Sequence, residues 1–179
     1  IQTKKTKFIC VRGGNVLGTS GRVVPLFKQQ IKKSSQVGIT DANMTRFFLT
    51  VEDAVGLLFK AVSQGRGGEI FVMKMPACKI TDLAEVLIED SGKENVKVKE
   101  VGIRPGEKLS EMLLSEVESK TSISFDQNYF VVLPTIPIQG LQQYYSSYPL
   151  VDVKSFSSQQ DLLAKHEVKQ MLLKGGFLR

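Results

Sequence analysis

Phe8-Ile9-Cys10-Val11-Arg12-Gly13-Gly14-Asn15-Val16-Leu17-Gly18 is the stretch on which the reading of this chain turns. Its apolar opening has the length and composition of a buried parallel strand. A glycine-rich turn follows, and the apolar spacing from Val23 to Ile31 then predicts an amphipathic helix. Strand, glycine loop and helix in that order begin a βα unit. A parallel strand needs partner strands, and helices over both faces of its sheet. Little sequence precedes this one, so the chain is expected to begin in the middle of a domain.

Working outward, strands are expected around Val37 to Ile39, at Phe47-Phe48-Leu49, from Glu69 to Met73 and from Tyr129 to Leu133. Between them lie helical patterns. The helix from Val51 to Val62 carries Val55, Leu58, Phe59 and Val62, with acidic residues in its first turn. A second helix runs from Thr81 through Leu83, Val86 and Leu87. Further helices are expected over Leu109 to Leu114 and, capped by Ser158, through Leu162, Val168 and Leu172. The polar run from Gln139 to Ser158 reads as a long ordered loop or an excursion. Strands alternating with helices indicate an α/β fold.

The chain has 179 residues, 42% hydrophobic and 23% charged, enough for a core of ordinary domain size. No apolar run is long enough to cross a bilayer, and the start lacks the apolar core of a signal peptide, which favours a cytoplasmic protein without membrane contact. Cys10 and Cys78 sit far apart in apolar settings and read as buried free thiols. The lone His166 gives a metal site no support. A net charge of +6 suits an anionic ligand. The lysines crowd at Lys4, Lys5 and Lys7, or end a helix at Lys32 and Lys33, and no basic stripe with interleaved aromatics points to nucleic acid.

Two places could meet a ligand. Gly13, Gly14, Gly18 and Gly21 lie where a dinucleotide-binding loop would, but the spacing is not G-x-G-x-x-G and no acidic residue ends a second strand at the right distance. They suit a loop that approaches some ligand closely. The second place is Gly102-Ile103-Arg104-Pro105-Gly106-Glu107-Lys108-Leu109. Pro and Gly shape this loop, and Arg104 is the residue type that grips a phosphate with paired hydrogen bonds. Arg46 is a second cation, and Glu107 reads as a hydroxyl acceptor or turn anchor. The plain alternative for both arginines is solvated surface charge. No tyrosine has a lysine four residues on, and no Ser/His/Asp or Cys/His set exists, so this chain alone is expected to catalyse nothing.

Several segments together resemble one family. Val11 to Gly18, Val23 to Lys28, Ile39-Thr40-Asp41, Met44 to Phe48, Gly67 to Val72 and Gly102 to Leu109 follow the order and spacing found in UDP-N-acetylglucosamine 4,6-dehydratases. These belong to the extended short-chain dehydrogenase/reductase superfamily and serve bacterial surface-polysaccharide synthesis. The resemblance runs from Phe8 to about Pro137. Lys74 to Ile80 and the tail from Ser157 to Leu178 look closer to the branch that also inverts C5.

The resemblance implies an α/β chain forming the C-terminal part of an NAD(P)-binding Rossmann-type protein. Residues 1–22 would end the nucleotide-binding sheet and residues 23–179 would mainly bind the UDP-sugar. The implied chemistry is a hydride cycle on NADP, with the cofactor loop and the catalytic tyrosine–lysine pair in an N-terminal half that this sequence does not contain. By the same resemblance Asn15, Arg46, Arg104 and Glu107 match substrate-binding positions, the arginines holding the UDP moiety and Glu107 lying near ribose or uracil. The backbone of Gly13, Val16, Leu17 and Gly18 matches the loop beside the nicotinamide. The family usually has an aromatic residue where this chain has Gly13. A homo-oligomer is expected. The rivals are a related sugar-nucleotide epimerase or reductase, and a stand-alone binding or interaction module.

Overall fold

The computed structural model of the chain describes residues 6–19 and 23–178; Lys4, Lys5 and Gly21 lie outside the described residues. The elements begin with β1 (Cys10–Arg12), β2 (Asn15–Val16), α1 (Val23–Lys33), β3 (Gln36–Ile39), β4 (Thr45–Leu49) and α2 (Val51–Gln64). Next come β5 (Ile70–Met73), β6 (Ala77–Lys79), α3 (Ile80–Asp90), β7 (Lys97–Glu100) and β8 (Met112–Leu114). The chain closes with α4 (Glu116–Ser119), β9 (Ser122–Ser124), β10 (Tyr129–Val132), α5 (Leu141–Tyr145), β11 (Phe156–Ser157) and α6 (Lys165–Lys174). The α/β class read from the sequence is the class observed. The elements gather into two compact units, each drawn from three separate stretches.

The first unit takes the stretch ending at Gly14, Val51–Met75 and Met112–Ser157. Its sheet runs β1-β5-β10-β9, with β1 parallel to β5 and both other pairs antiparallel. Its core joins Leu57 and Ala61 of α2 to Phe71, Ile123, Val131, Leu141 and Tyr145. Glu69 is buried here and accepts from the Tyr145 hydroxyl at 3.0 Å, so burial and this carboxylate push the phenol's pKa upward. The run from Gln139 to Ser158 is thus more than a loop: α5 supplies core residues and β11 pairs with β8.

One expectation fails in this unit. The stretch from Phe8 to Val11 was expected to be buried with Cys10, but Phe8 is 62% exposed and Cys10 is exposed as well. Among the described residues β1 pairs only with β5 and lies at the edge of its sheet, so composition alone overstated its burial. Helix α2 turns Leu57 and Ala61 inward, and the apolar residues read on it, Val55, Leu58, Phe59 and Val62, are exposed.

The second unit takes Asn15–Thr50, Pro76–Glu111 and the stretch from Ser158 onward. β2 pairs parallel with β4 and β4 antiparallel with β6, while β3 and β7 form a parallel pair. Over them pack α1 (Val24, Phe27, Ile31), α3 (Leu83, Ala84, Val86, Leu87) and α6 (Val168, Leu172) in one cluster. Cys78 is buried in it, and desolvation pushes its thiol up to about 12. Lys165 ties α6 to α3 through Glu85 and Glu89, each at 2.7 Å.

The helix expected over Leu109 to Leu114 does not form. The Leu109 carbonyl accepts from the Thr45 N–H at 2.9 Å and the Glu111 N–H donates to Ser158 Oγ at 2.9 Å. Backbone groups satisfied sideways are not available to an i→i−4 ladder, and residues 112–114 are strand β8. Ser158 is correspondingly no helix cap. It is fully buried, and α6 begins at Lys165, where Ala164 N–H meets Glu167.

Candidate functional site

A cavity of about 360 Å³ opens in the second unit, within the range of small-molecule sites. One side is apolar: Val23, Val24 and Phe27 from α1, Ile39 from β3, Phe48 from β4 and Ile80 from α3. The polar groups that converge on it are Asn15, Arg46, Arg104 and Glu107. All four residues read as substrate-binding therefore surround one space. Of the residues read as nicotinamide neighbours, Val16, Leu17 and Gly18 line the same cavity, whereas Gly13 is an exposed residue of the first unit.

Each side chain is placed by local structure. Asn15 and Val16 form β2, held against Phe48 and Leu49 of β4. The chain then turns at Gly18, whose φ of +76° suits glycine and which packs so closely on the Phe177 ring that a Cβ there would press into it. Arg104 and Glu107 bracket a turn in which the Glu107 N–H donates to the Arg104 carbonyl at 3.0 Å. Pro105 sits second and Gly106 third, with φ of +86°, the arrangement of a type II turn. Glu107 closes the loop again by accepting from the Arg104 N–H at 3.1 Å. Among the described residues, the Arg104 guanidinium makes no hydrogen bond or ion pair, and the residue is exposed.

Arg46 is held differently. One terminal nitrogen donates to the Thr45 carbonyl at 2.8 Å and to the Leu109 carbonyl at 3.2 Å. The other donates to the Lys108 carbonyl at 2.6 Å, and Nε lies 3.7 Å from Glu111. Arg46 thus anchors the end of the Arg104 loop while one edge faces the cavity.

Sequence reasoning missed Glu111. Its carboxylate meets Asn15 Nδ2 at 2.9 and 3.1 Å and accepts from the Phe47 N–H at 3.1 Å. The helical spacing of Leu109, Met112 and Leu113 concealed it, and no motif at that position stood out. The assembled site offers an apolar floor, one open arginine, one anchored arginine and a fixed amide. That set can hold a doubly charged phosphate group attached to an uncharged polar body.

The profile of a family described as polysaccharide biosynthesis protein matches residues 1–133. Over 98% of its length the chain is 38% identical to a Methanocaldococcus jannaschii protein named uncharacterized membrane protein MJ1061, of which it covers 52%. Over 80% of its length it is 40% identical to UDP-N-acetylglucosamine 4,6-dehydratase (inverting) of Campylobacter jejuni, of which it covers 41%. The X-ray structure of Pen from Bacillus thuringiensis resembles it with a TM-score of 0.86 at 35% identity, covering 97% of this chain and 52% of Pen. The chain spans about half or less of the length of these relatives. Among the described residues, no helix is long and apolar enough to cross a membrane.

Proposed function

We propose, from the premise that this chain belongs to the polysaccharide biosynthesis protein family, that it is the UDP-sugar-binding portion of a longer UDP-N-acetylglucosamine 4,6-dehydratase of the C5-inverting type. The observation that carries this reading is the convergence of Asn15, Arg46, Arg104 and Glu107 on one cavity of the second unit. Arg104 supplies the open fork for the diphosphate and Arg46 the second positive charge. Glu107 lies on the ribose or uracil side, and Asn15 meets the sugar. The 40% identity to the inverting Campylobacter enzyme supports the branch assignment.

Val16, Leu17 and Gly18 offer an apolar wall with closely approaching backbone, which suits the nicotinamide end of NADP. The sequence has no glycine spacing for a pyrophosphate cradle, so these residues fit that end of the cofactor only. When bound, the nicotinamide would take up and return hydride. This chain's own part is to bind and orient the nucleotide sugar, within a longer parent protein read as cytoplasmic and homo-oligomeric.

The decisive experiment is conversion of UDP-N-acetylglucosamine by the full-length protein, with the product identified. A 4-keto-6-deoxy sugar nucleotide is expected; a 4-epimer with no loss of water would favour the epimerase alternative. The isolated 179-residue chain is expected to bind UDP, to turn nothing over and to bind NADP weakly. Turnover by the isolated chain would refute its assignment as a non-catalytic portion.

A further inference from the structure

We propose that Glu111 is a positioning residue for the nucleotide-sugar cavity, fixing Asn15 and Arg46 in the geometry a ligand meets; this rests on the UDP-sugar reading above. Asn15 and Arg46 line the cavity, whereas Glu111 is not one of its lining residues, so Glu111 acts through its neighbours.

The argument begins with hydrogen-bonding capacity. An amide nitrogen carries two hydrogens. Asn15 Nδ2 lies 3.1 Å from the Phe47 carbonyl and 2.9 and 3.1 Å from the two Glu111 oxygens, so one hydrogen goes to each partner. This sets the rotation of the amide and gives a ligand one defined face. The same carboxylate accepts from the Phe47 N–H at 3.1 Å and lies 3.7 Å from Arg46 Nε. Three donors converge on a group that only accepts when ionised. Glutamine has the same shape but must turn an NH₂ toward at least one of those donors, so the arrangement requires the charge as well as the shape.

Glu111 is itself held from behind. Its N–H donates to Ser158 Oγ at 2.9 Å, and its carbonyl accepts from the Ser158 N–H at 2.9 Å. Ser158 is fully buried, with its Oγ 2.9 Å from Thr45 Oγ1. Thr45 precedes Arg46, so one buried serine braces both the carboxylate's backbone and the strand that carries the arginine. Positioning groups that are themselves locked in this way keep a binding site preorganised.

The test uses the full-length protein, titrated calorimetrically with UDP-N-acetylglucosamine. Glu111→Gln should weaken binding roughly tenfold or more. In that background Asn15→Ala and Arg46→Ala should lose much of their own effect, while Arg104→Ala keeps its full effect. Glu111→Asp keeps an acceptor-only carboxylate and should restore part of the affinity. An unchanged affinity in E111Q, equal losses in the Gln and Asp variants, or effects that add in full to Asn15→Ala and Arg46→Ala would overturn the proposal. A ligand-free arm uses NMR of the Asn15 side-chain amide, whose two N–H resonances should be well separated in the wild type and move together in E111Q. An amide insensitive to the substitution overturns the positioning role by itself. Absence of wild-type binding to any UDP-sugar would instead overturn the functional reading.

Discussion

Arg12, in the first unit, and Arg46, in the second, each lie beside a glutamate and use their guanidinium groups in opposite ways. Arg12 closes its fork on Glu118, at 2.9 and 3.1 Å, and adds the Leu113 carbonyl at 2.8 Å. Glu118 also accepts from the N–H and hydroxyl of Ser115, and its own N–H donates to Ser115 Oγ, completing a capping box on α4. Each partner satisfies the other, and the pair ties β1 to α4. Arg46 instead gives its terminal nitrogens to three backbone carbonyls, and its glutamate turns to an amide. That sharing ties a strand, a loop and a cavity wall together, and the neighbouring Arg104 stays uncommitted. The partners of a charge, more than its type, indicate whether it serves the fold or a ligand.

The largest effect expected from this contrast is at Arg104. A charge-assisted hydrogen bond is worth roughly 1.5–3 kcal/mol, so Arg104→Ala should weaken UDP binding by about ten- to a hundredfold or more. Folding stability should stay nearly constant, because no protein group loses a partner. Lysine keeps the charge without the fork and should rescue only in part. If Arg104 were a solvated turn residue, calorimetry would give equal dissociation constants for wild type and variant.

Arg46→Ala should produce a mixed signature. The Lys108 carbonyl loses the Arg46 donor, the Leu109 carbonyl keeps only the Thr45 N–H, and the loop that carries Arg104 is anchored less firmly. Affinity should fall by less than in Arg104→Ala, and unlike that variant the protein should also lose about 1–3 kcal/mol of stability. Thermal unfolding without nucleotide separates the two arginines. An unchanged midpoint in Arg46→Ala would erase the distinction drawn between them.

The Arg12 pair should reveal itself in acid. The Arg12 guanidinium, with Ser115, holds Glu118 down at about 2, from an ordinary value near 4.5. The folded state therefore binds the Glu118 proton less readily than the unfolded state. The stabilisation is fully present above about 4.5 and is lost as pH falls toward 2. With both side chains partly exposed, it should amount to at most about 1 kcal/mol. Arg12→Ala should flatten the stability profile across that window, and parallel wild-type and variant profiles would sink the assignment.

How far these features were legible in the sequence depended on whether their partners were local. The turn at Arg104 could be read because Pro105 and Gly106 fix its shape within four residues, and Glu107 closes on Arg104 itself. Arg46, Arg104 and Glu107 were singled out by residue type and setting, Asn15 by a motif resemblance that also matched the other three, and all four line one cavity. Glu111 and Ser158 were opaque because each depends on residues far away in the chain: Asn15 and Phe47 for the first, Thr45 for the second. Their own neighbours imitate a helix and a helix cap. Strand β1 was misjudged because an apolar run states a need for cover without stating what provides it.

Helices α2 and α3 give the smallest predicted effect on stability. Both carry apolar residues at helical spacing. Leu83, Val86 and Leu87 of α3 are buried, whereas Phe59 and Val62 of α2 are 70% and 77% exposed. Val55 and Leu58 on α2, Phe8 just before β1 and Val11 within it are exposed as well, and exposed apolar side chains of this kind favour self-association. In the isolated chain a second copy is the available cover, so dimers or larger species are expected at crystallisation-range concentrations. Phe59→Ser combined with Val62→Ser should change folding stability by no more than about 0.5 kcal/mol, because neither side chain is packed. The same pair should shift the sedimentation profile toward monomer. A wild-type chain that sediments as a clean monomer would show that this face tolerates water, and the contrast between the two helices would then concern packing alone.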